Sequence, residues 1–352
     1  MCYATALLLL LLLRIPVIAA VRAWIAATTV PNDTSVPKDT ATFMTILSDI
    51  ASWVQSTHHP LGLPTRVLHT STQHVDELVQ HLGFIEKPAT TPPTGEPEPN
   101  PHHDVSEFAQ RLLEHLPASI RTLFSHQLST VTTTHHSTEA NHPHSTNQLI
   151  IEVPIDRRNF SPSNYLTAIT SHTGFIETIT DGPAPREQVH TVHDLGQFFI
   201  VSLKRTQTKG KGPCRTRWKD CSPVDLPLTF ETASGQTCDM LGAVYHHGPT
   251  PLAGHYNLFE LAGLLCHDDQ KPTEPLTGPA FMRNLKKSTL FLYAVRRRNG
   301  SNSRTHAIAY QCTHARLHVL ATAMSLDIQG GWNALTPAPS LSQVPRVPIF
   351  IA

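Results

Sequence analysis

The sequence has no excess charge of either sign: Lys and Arg total 27, and so do Asp and Glu. Nothing in that balance calls for a nucleic-acid backbone or an anionic membrane as partner. There is no Cys-x-x-Cys pair among the six cysteines, Cys2, Cys214, Cys221, Cys238, Cys266 and Cys312. A zinc ribbon is built from such pairs, so that reading loses its support, and neither a metal nor a cofactor is expected. An uncharged apolar stretch of the ~20 residues that cross a bilayer is also missing. The leucine run that follows Ala6 ends at Arg14, and Pro16 and Arg22 interrupt what comes after. No Lys or Arg precedes the run, which counts against a secretory signal. Two readings stay open for it: a signal, or a buried helix that carries Cys2 at its start.

What is present is length and histidine. A chain of 352 residues can bury a sizeable core, in one elaborated domain or two smaller ones. Its 23 histidines make the charge climb steeply below neutral pH, and its 29 prolines break up regular structure. Sequons at Asn32, Asn159 and Asn299 carry meaning only if the chain is secreted.

The richest stretch runs from Leu241 to Asp269. Leu241-Gly-Ala-Val-Tyr-His-His-Gly248 reads as a buried strand ending in a glycine turn. Gly254-His-Tyr256 follows, then the apolar Leu258–Leu265, then Cys266-His-Asp-Asp269. A strand–turn–strand hairpin would set His255 beside Asp268, the arrangement in which a carboxylate orients a general-base imidazole. A general base needs a nucleophile, and Cys2 is the best candidate. It lies just before the first turn of a helix predicted over Tyr3–Ala27, bent near Pro16, where the helix N-terminus favours a thiolate. A lone cysteine can equally be a buried, inert thiol, and it is His255 that gives the reactive reading its weight.

Helical spacing predicts further helices over Thr42–Val54 and around Val75–Leu82. Pro-rich 87–101 should be an exposed insertion. Asp104 opens a helix with the apolar stripe Val105, Phe108, Ala109, Leu112, Leu113 and Leu116. Asp104 and Glu107 either cap its first turn or receive basic groups of a substrate. Ser125–Asn147, with His135, His136, His142 and His144, is read as a flexible loop rather than a metal site. Strands are predicted at Gln148–Pro154, Leu195–Lys204, Val224–Phe230 and Lys287–Arg298, with a basic turn at Gly210–Cys214. Ala307–Leu326 has helical character, and the proline-rich tail should be extended.

In this order the segments resemble the ubiquitin-specific protease family, the papain-like deubiquitinating cysteine peptidases. Cys2-Tyr-Ala-Thr-Ala-Leu-Leu resembles the family's cysteine box. His102-His-Asp-Val-Ser-Glu-Phe108 resembles its Gln-Gln-Asp-x-x-Glu-Phe helix, and Leu195–Arg205 its central strand. Ala243–Tyr256 resembles its histidine box, and Ser288–Arg298 its last strand. The resemblance implies an α+β, papain-like cysteine protease fold with a helical thumb and a β-sheet palm and fingers. It implies a catalytic domain over 1–300, with the thumb at about 1–125 and palm and fingers at about 126–300. Residues 301–352 would be a partly disordered extension.

The resemblance also implies a function: hydrolysis of the bond after ubiquitin's C-terminal glycine. Cys2, His255 and Asp268 would be catalytic, with His246 and Asp269 in support. Asp104, Glu107, Gly254 and Tyr256 would bind the ubiquitin tail. Ubiquitin or ubiquitinated proteins are the implied partners, with no nucleic acid and no membrane, in cytoplasm or nucleus. The family places an oxyanion-hole Asn ahead of its cysteine, and here only Met1 precedes Cys2. That implies a start upstream of Met1, or an enzyme slowed by about 10²–10³-fold. The rival readings are an inactive ubiquitin-binding relative and a secreted glycoprotein.

Overall fold

The computed structural model describes residues 2–12, 14–28, 38–57, 72–84, 104–134, 143–155, 161–179, 186–209, 216–250, 253–268, 271 and 273–296. The Pro-rich segment 87–101, the turn 210–214, the region 301–352, His135, His136, His142 and Asp269 lie outside the described residues.

Helices open the chain: α1 Cys2–Leu12, α2 Ile15–Thr28, α3 Lys38–Thr57, α4 Thr72–His81, α5 Val105–His115 and α6 Ala118–Arg121. The helix expected over Tyr3–Ala27 is in fact two, turned by 92°. The turn falls at Arg14, ahead of Pro16, which takes the first turn of α2 where its missing N–H goes unused. Leaving the helix lets the Arg14 guanidinium reach the Leu241 carbonyl at 3.4 Å and the Glu260 carboxylate at 3.6 Å. A charge continued along a leucine helix would have been buried without such partners. Among the described residues no single helix is long and apolar enough to cross a membrane. Every residue of α1 except Thr5 is buried, as a helix apolar on all sides requires. α5 is instead amphipathic, and its predicted stripe from Val105 to Leu116 is buried throughout.

The strands are β1 His126–Thr134, β2 His144–Gln148, β3 Ile150–Pro154, β4 Phe175–Ile179, β5 Arg186–His193, β6 Phe198–Lys204, β7 Thr206–Lys209 and β8 Thr216–Lys219. They continue with β9 Thr229–Glu231, β10 Thr237–Thr250, β11 Ala253–Glu260, β12 Leu265–His267, β13 Glu274–Pro275 and β14 Leu290–Arg296. Helices α7 Pro162–Ile169 and α8 Gly278–Leu285 lie between them.

The described parts of Ser125–Asn147 are not the expected loop. They supply β1 and β2 of a four-stranded sheet ordered β2-β1-β5-β4. The β-branched run Thr130-Val-Thr-Thr-Thr134 suits a pleated, half-exposed surface, and cross-strand pairs such as Ser129–Ser145 hydroxyls at 2.8 Å tie it together. The strand expected over Val224–Phe230 shrinks to β9, because Pro223 and Pro227 have no ladder donors.

A larger sheet runs β13-β12-β11-β10-β14-β6-β3, with β9 on β10. Only its β3–β6 pair is parallel. Leu290, Leu292 and Ala294 of β14 join Phe198 and Ile200 of β6 in the core shared with α1 and α5. Phe291, Tyr293, Val295, Phe199 and Val201 point the other way, into a second core. Both faces are covered, so these strands read as unbroken apolar runs rather than alternating ones. α1 crosses β10 closely at Gly242: a Cβ there would meet Leu10 Cδ1 at 2.9 Å and the Phe259 carbonyl oxygen at 2.7 Å.

Candidate active site

The start of α1 is wedged between α5 and β11. The Tyr3 ring meets Phe108 edge-on at 5.4 Å and Tyr256 at 6.1 Å. That seating puts Cys2, itself 8% exposed, against the β11 backbone. β11 is the second strand of a long hairpin with β10, in which His247 lies opposite His255 and His246 opposite Tyr256. After β11 a single 3₁₀ turn, Leu261–Gly263, and a left-handed Leu264 (φ 54°) reverse the chain into β12. β12 pairs back on β11, with Leu258 opposite His267. Asp268 therefore emerges beside His255.

His255 Nε2 and Asp268 Oδ1 are 2.9 Å apart. The Cys2 thiol hydrogen-bonds His255 and the backbone of Tyr256. With Nε2 on the carboxylate, Nδ1 is the ring nitrogen placed to serve the thiol. Burial pushes the Cys2 thiol up, but the hydrogen bonds from His255 and the Tyr256 backbone, with neighbouring positive charge, bring it below its ordinary value. His255 moves the other way, up to about 9, through the hydrogen bond to Cys2, against burial, and with the help of Asp268. A lowered thiol beside a raised imidazole is the signature of a thiolate–imidazolium pair.

Asn257 was not anticipated. It shares a strand face with His255, two residues on, and its Nδ2 lies 3.5 Å from Asp268 Oδ2 and 3.5 Å from Cys266 Sγ. Asp268 thus presents one oxygen to the histidine and the other to an amide, and is itself buried. A buried asparagine in an apolar strand was the available signal, but alone it does not say which carboxylate it meets.

The other predicted residues separate into groups. His246 is buried and stacks on Tyr256 at 4.4 Å, stiffening the hairpin under His255. Tyr256 is buried too, so its ring packs while its backbone serves Cys2. Gly254 is required by the hairpin itself: a Cβ would fall 1.9 Å from the His247 carbonyl oxygen and 2.3 Å from His246 Nε2. Asp104 caps α5, accepting the Ser106 N–H at 2.8 Å. Glu107 pairs with Arg111 at 3.4 Å on the exposed face. No group of three or more His, Cys, Asp or Glu among the described residues is arranged to hold a metal ion.

No family model matches the sequence, and no curated protein matches it. Solved structures do match the fold. The Ubp8–Sgf11–Sgf73–Sus1 SAGA DUB module matches with TM-score 0.58 at 15% identity, over 85% of this chain and 66% of that one. The same module bound to ubiquitin aldehyde gives 0.60 at 14% identity, over 85% and 68%. A yeast form of the module gives 0.58 at 14% identity, over 85% and 67%. The chain spans about two thirds of the length of the structures it matches. Its fold is that of the ubiquitin-specific proteases.

Proposed function

We propose that this protein is a thiol hydrolase that removes ubiquitin by cleaving after its C-terminal glycine, in the cytoplasm or nucleus. The observation that carries the reading is the Cys2–His255–Asp268 relay on a fold shared with a module solved with ubiquitin aldehyde. The Cys2 thiolate attacks the carbonyl carbon of the last glycine and forms a thioester. The leaving amine takes its proton from the His255 imidazolium. Water then attacks the thioester, His255 removes the water's proton, and the thiolate is restored. Asp268 holds the imidazole in register throughout, and Asp269 supports it. Asp104 and Glu107 receive the arginines of the ubiquitin tail. A substrate arginine has only to displace Arg111 from an exposed pair, worth about 1 kcal/mol or less. Gly254, exposed on the hairpin, would let the backbone of the tail approach closely.

The test is covalent capture. Ubiquitin carrying a C-terminal thiol-reactive group should label the wild-type chain at Cys2, and Cys2→Ser should remove the label completely. Label retained in Cys2→Ser would move the nucleophile elsewhere. Ubiquitin binding without any labelling would leave a ubiquitin-binding fold without catalysis.

A further inference from the structure

A cavity of about 300 Å³ opens on the far side of the β10 hairpin, lined by Lys219, Cys221, Tyr245, Gly248 and Lys287. Its chemistry is lopsided. Lys219 is 9% exposed, yet among the described residues no carboxylate pairs with it. Its ammonium donates to two carbonyl oxygens, those of His246 and Gly248 (3.1 Å to the latter), and lies 5.8 Å from the Tyr245 ring centre. Behind it the buried Arg205 guanidinium is held by four carbonyls, of Ser288 (2.8 Å), Asp220 (3.0 Å), Ser222 (2.7 Å) and Lys286 (2.9 Å). Asp220 acts on Arg205 through its charge, and so, less strongly, do the Cys221 thiol and the Tyr245 hydroxyl. Lys286 is matched by Asp225 at 2.7 Å. Lys219 and Lys287 therefore stand at the cavity without a carboxylate among the described residues.

A buried ammonium held only by carbonyl dipoles bears a desolvation cost that a counter-ion would offset. Lys287, half-buried, faces the same cavity, and two cations with no carboxylate in the lining fit a doubly charged oxyanion. We propose that this cavity is a binding site for a phosphate-type dianion, held between Lys219 and Lys287 with the Tyr245 side chain alongside. The site is separate from the Cys2 relay, and it does not depend on the ubiquitin reading. It has a mechanical link to that relay, because Lys219 also grips the strand that pairs with His255.

Cys221 supplies the readout. It is an exposed, free thiol in the cavity lining, whereas Cys2, Cys238 and Cys266 are buried. Its alkylation by iodoacetamide, followed by peptide mass spectrometry, is measured with inorganic phosphate or with sodium chloride at matched ionic strength. Phosphate at ten times its dissociation constant should slow Cys221 about ten-fold, by blocking access. Sodium chloride should not. Lys219→Gln and Lys287→Gln should each lose most of the protection. Lys287 lies outside both cores, so its variant tests the site even if Lys219→Gln folds poorly. Equal effects of phosphate and sodium chloride on the wild type would overturn the proposal. So would protection that survives undiminished in a folded Lys287→Gln protein.

Discussion

Two histidines in this fold titrate in opposite directions. His255 lies on the β11 hairpin and is raised to about 9; His126 opens β1 and is lowered to about 4. Burial pushes both down, because it disfavours the charged ring. His126 is 1% exposed, and only the backbone of Phe124 opposes its burial. His255 is less buried and has a thiol on one side and a carboxylate on the other, and the two together reverse the sign. The contrast separates a histidine kept for packing from one kept for its charge, and it does so by partner rather than by depth.

The largest break in that contrast comes from Asp268. Asp268→Asn keeps the shape but removes the charge that helps hold the imidazolium. Turnover of a ubiquitin conjugate should fall on the order of 10²–10⁴-fold. The pH profile of Cys2 alkylation gives the sign. A raised histidine keeps its proton, and so sustains the ion pair, until the pH rises through about 9. In Asp268→Asn that alkaline limb should move to lower pH. A limb that stays in place would mean that Asp268 does not tune the imidazole.

His126 gives the opposite signature, in stability rather than rate. Above its ordinary value of 6.5 the ring is neutral both folded and unfolded, so it adds nothing to the pH dependence. Between 6.5 and about 4 the unfolded chain takes up the proton and the folded one resists. Folding stability should therefore fall by about 3 kcal/mol across that window from this group alone. His126→Phe should flatten that part of the curve, read as the change in urea midpoint between pH 7 and pH 4. Wild type and variant losing stability in parallel would show that His126 is not the acid-sensitive group.

The same pair of regions shows where the sequence was readable. The hairpin was legible because each part has its own signal: a β-branched strand, a glycine that tolerates no Cβ, an apolar run and two acids. The spacing from His255 to Asp268 then admits only a short return. The region of β1 was illegible because Ser, Thr and His look like loop when counted, and their strand signal lies in β-branching and cross-strand partners far along the chain. The bend expected near Pro16 in the helix over Tyr3–Ala27 is present, but that it is a full break of 92° was not legible, for a similar reason. The partners that draw Arg14 out of line, Leu241 and Glu260, are more than two hundred residues away. Leu195–Lys204 read correctly as a strand, since one buried on both faces shows its apolar run without any partner being known, but it starts at Phe198 and lies next to the sheet's edge rather than at its centre.

Asn257 gives the smallest effect and the sharpest one. Its hydrogen bond to Asp268 Oδ2 is long at 3.5 Å, so its loss should cost about 1 kcal/mol, or roughly five-fold in turnover. A five-fold loss alone would not separate a positioning role from general loosening of the strand, since Asn257 is buried. The pH profile does separate them. Without the amide the carboxylate loses an anchor, the Asp268–His255 bond slackens, and the alkaline limb of Cys2 alkylation should drop slightly below about 9. Asn257→Asp keeps the size but puts a second acid beside the first, which favours the imidazolium and should hold the limb at or above its wild-type position. Opposite shifts in the two variants would mark Asn257 as the residue that positions Asp268. Shifts of the same sign, or none, would reduce it to packing, and the contrast between the two histidines would then rest on Cys2 and Asp268 alone.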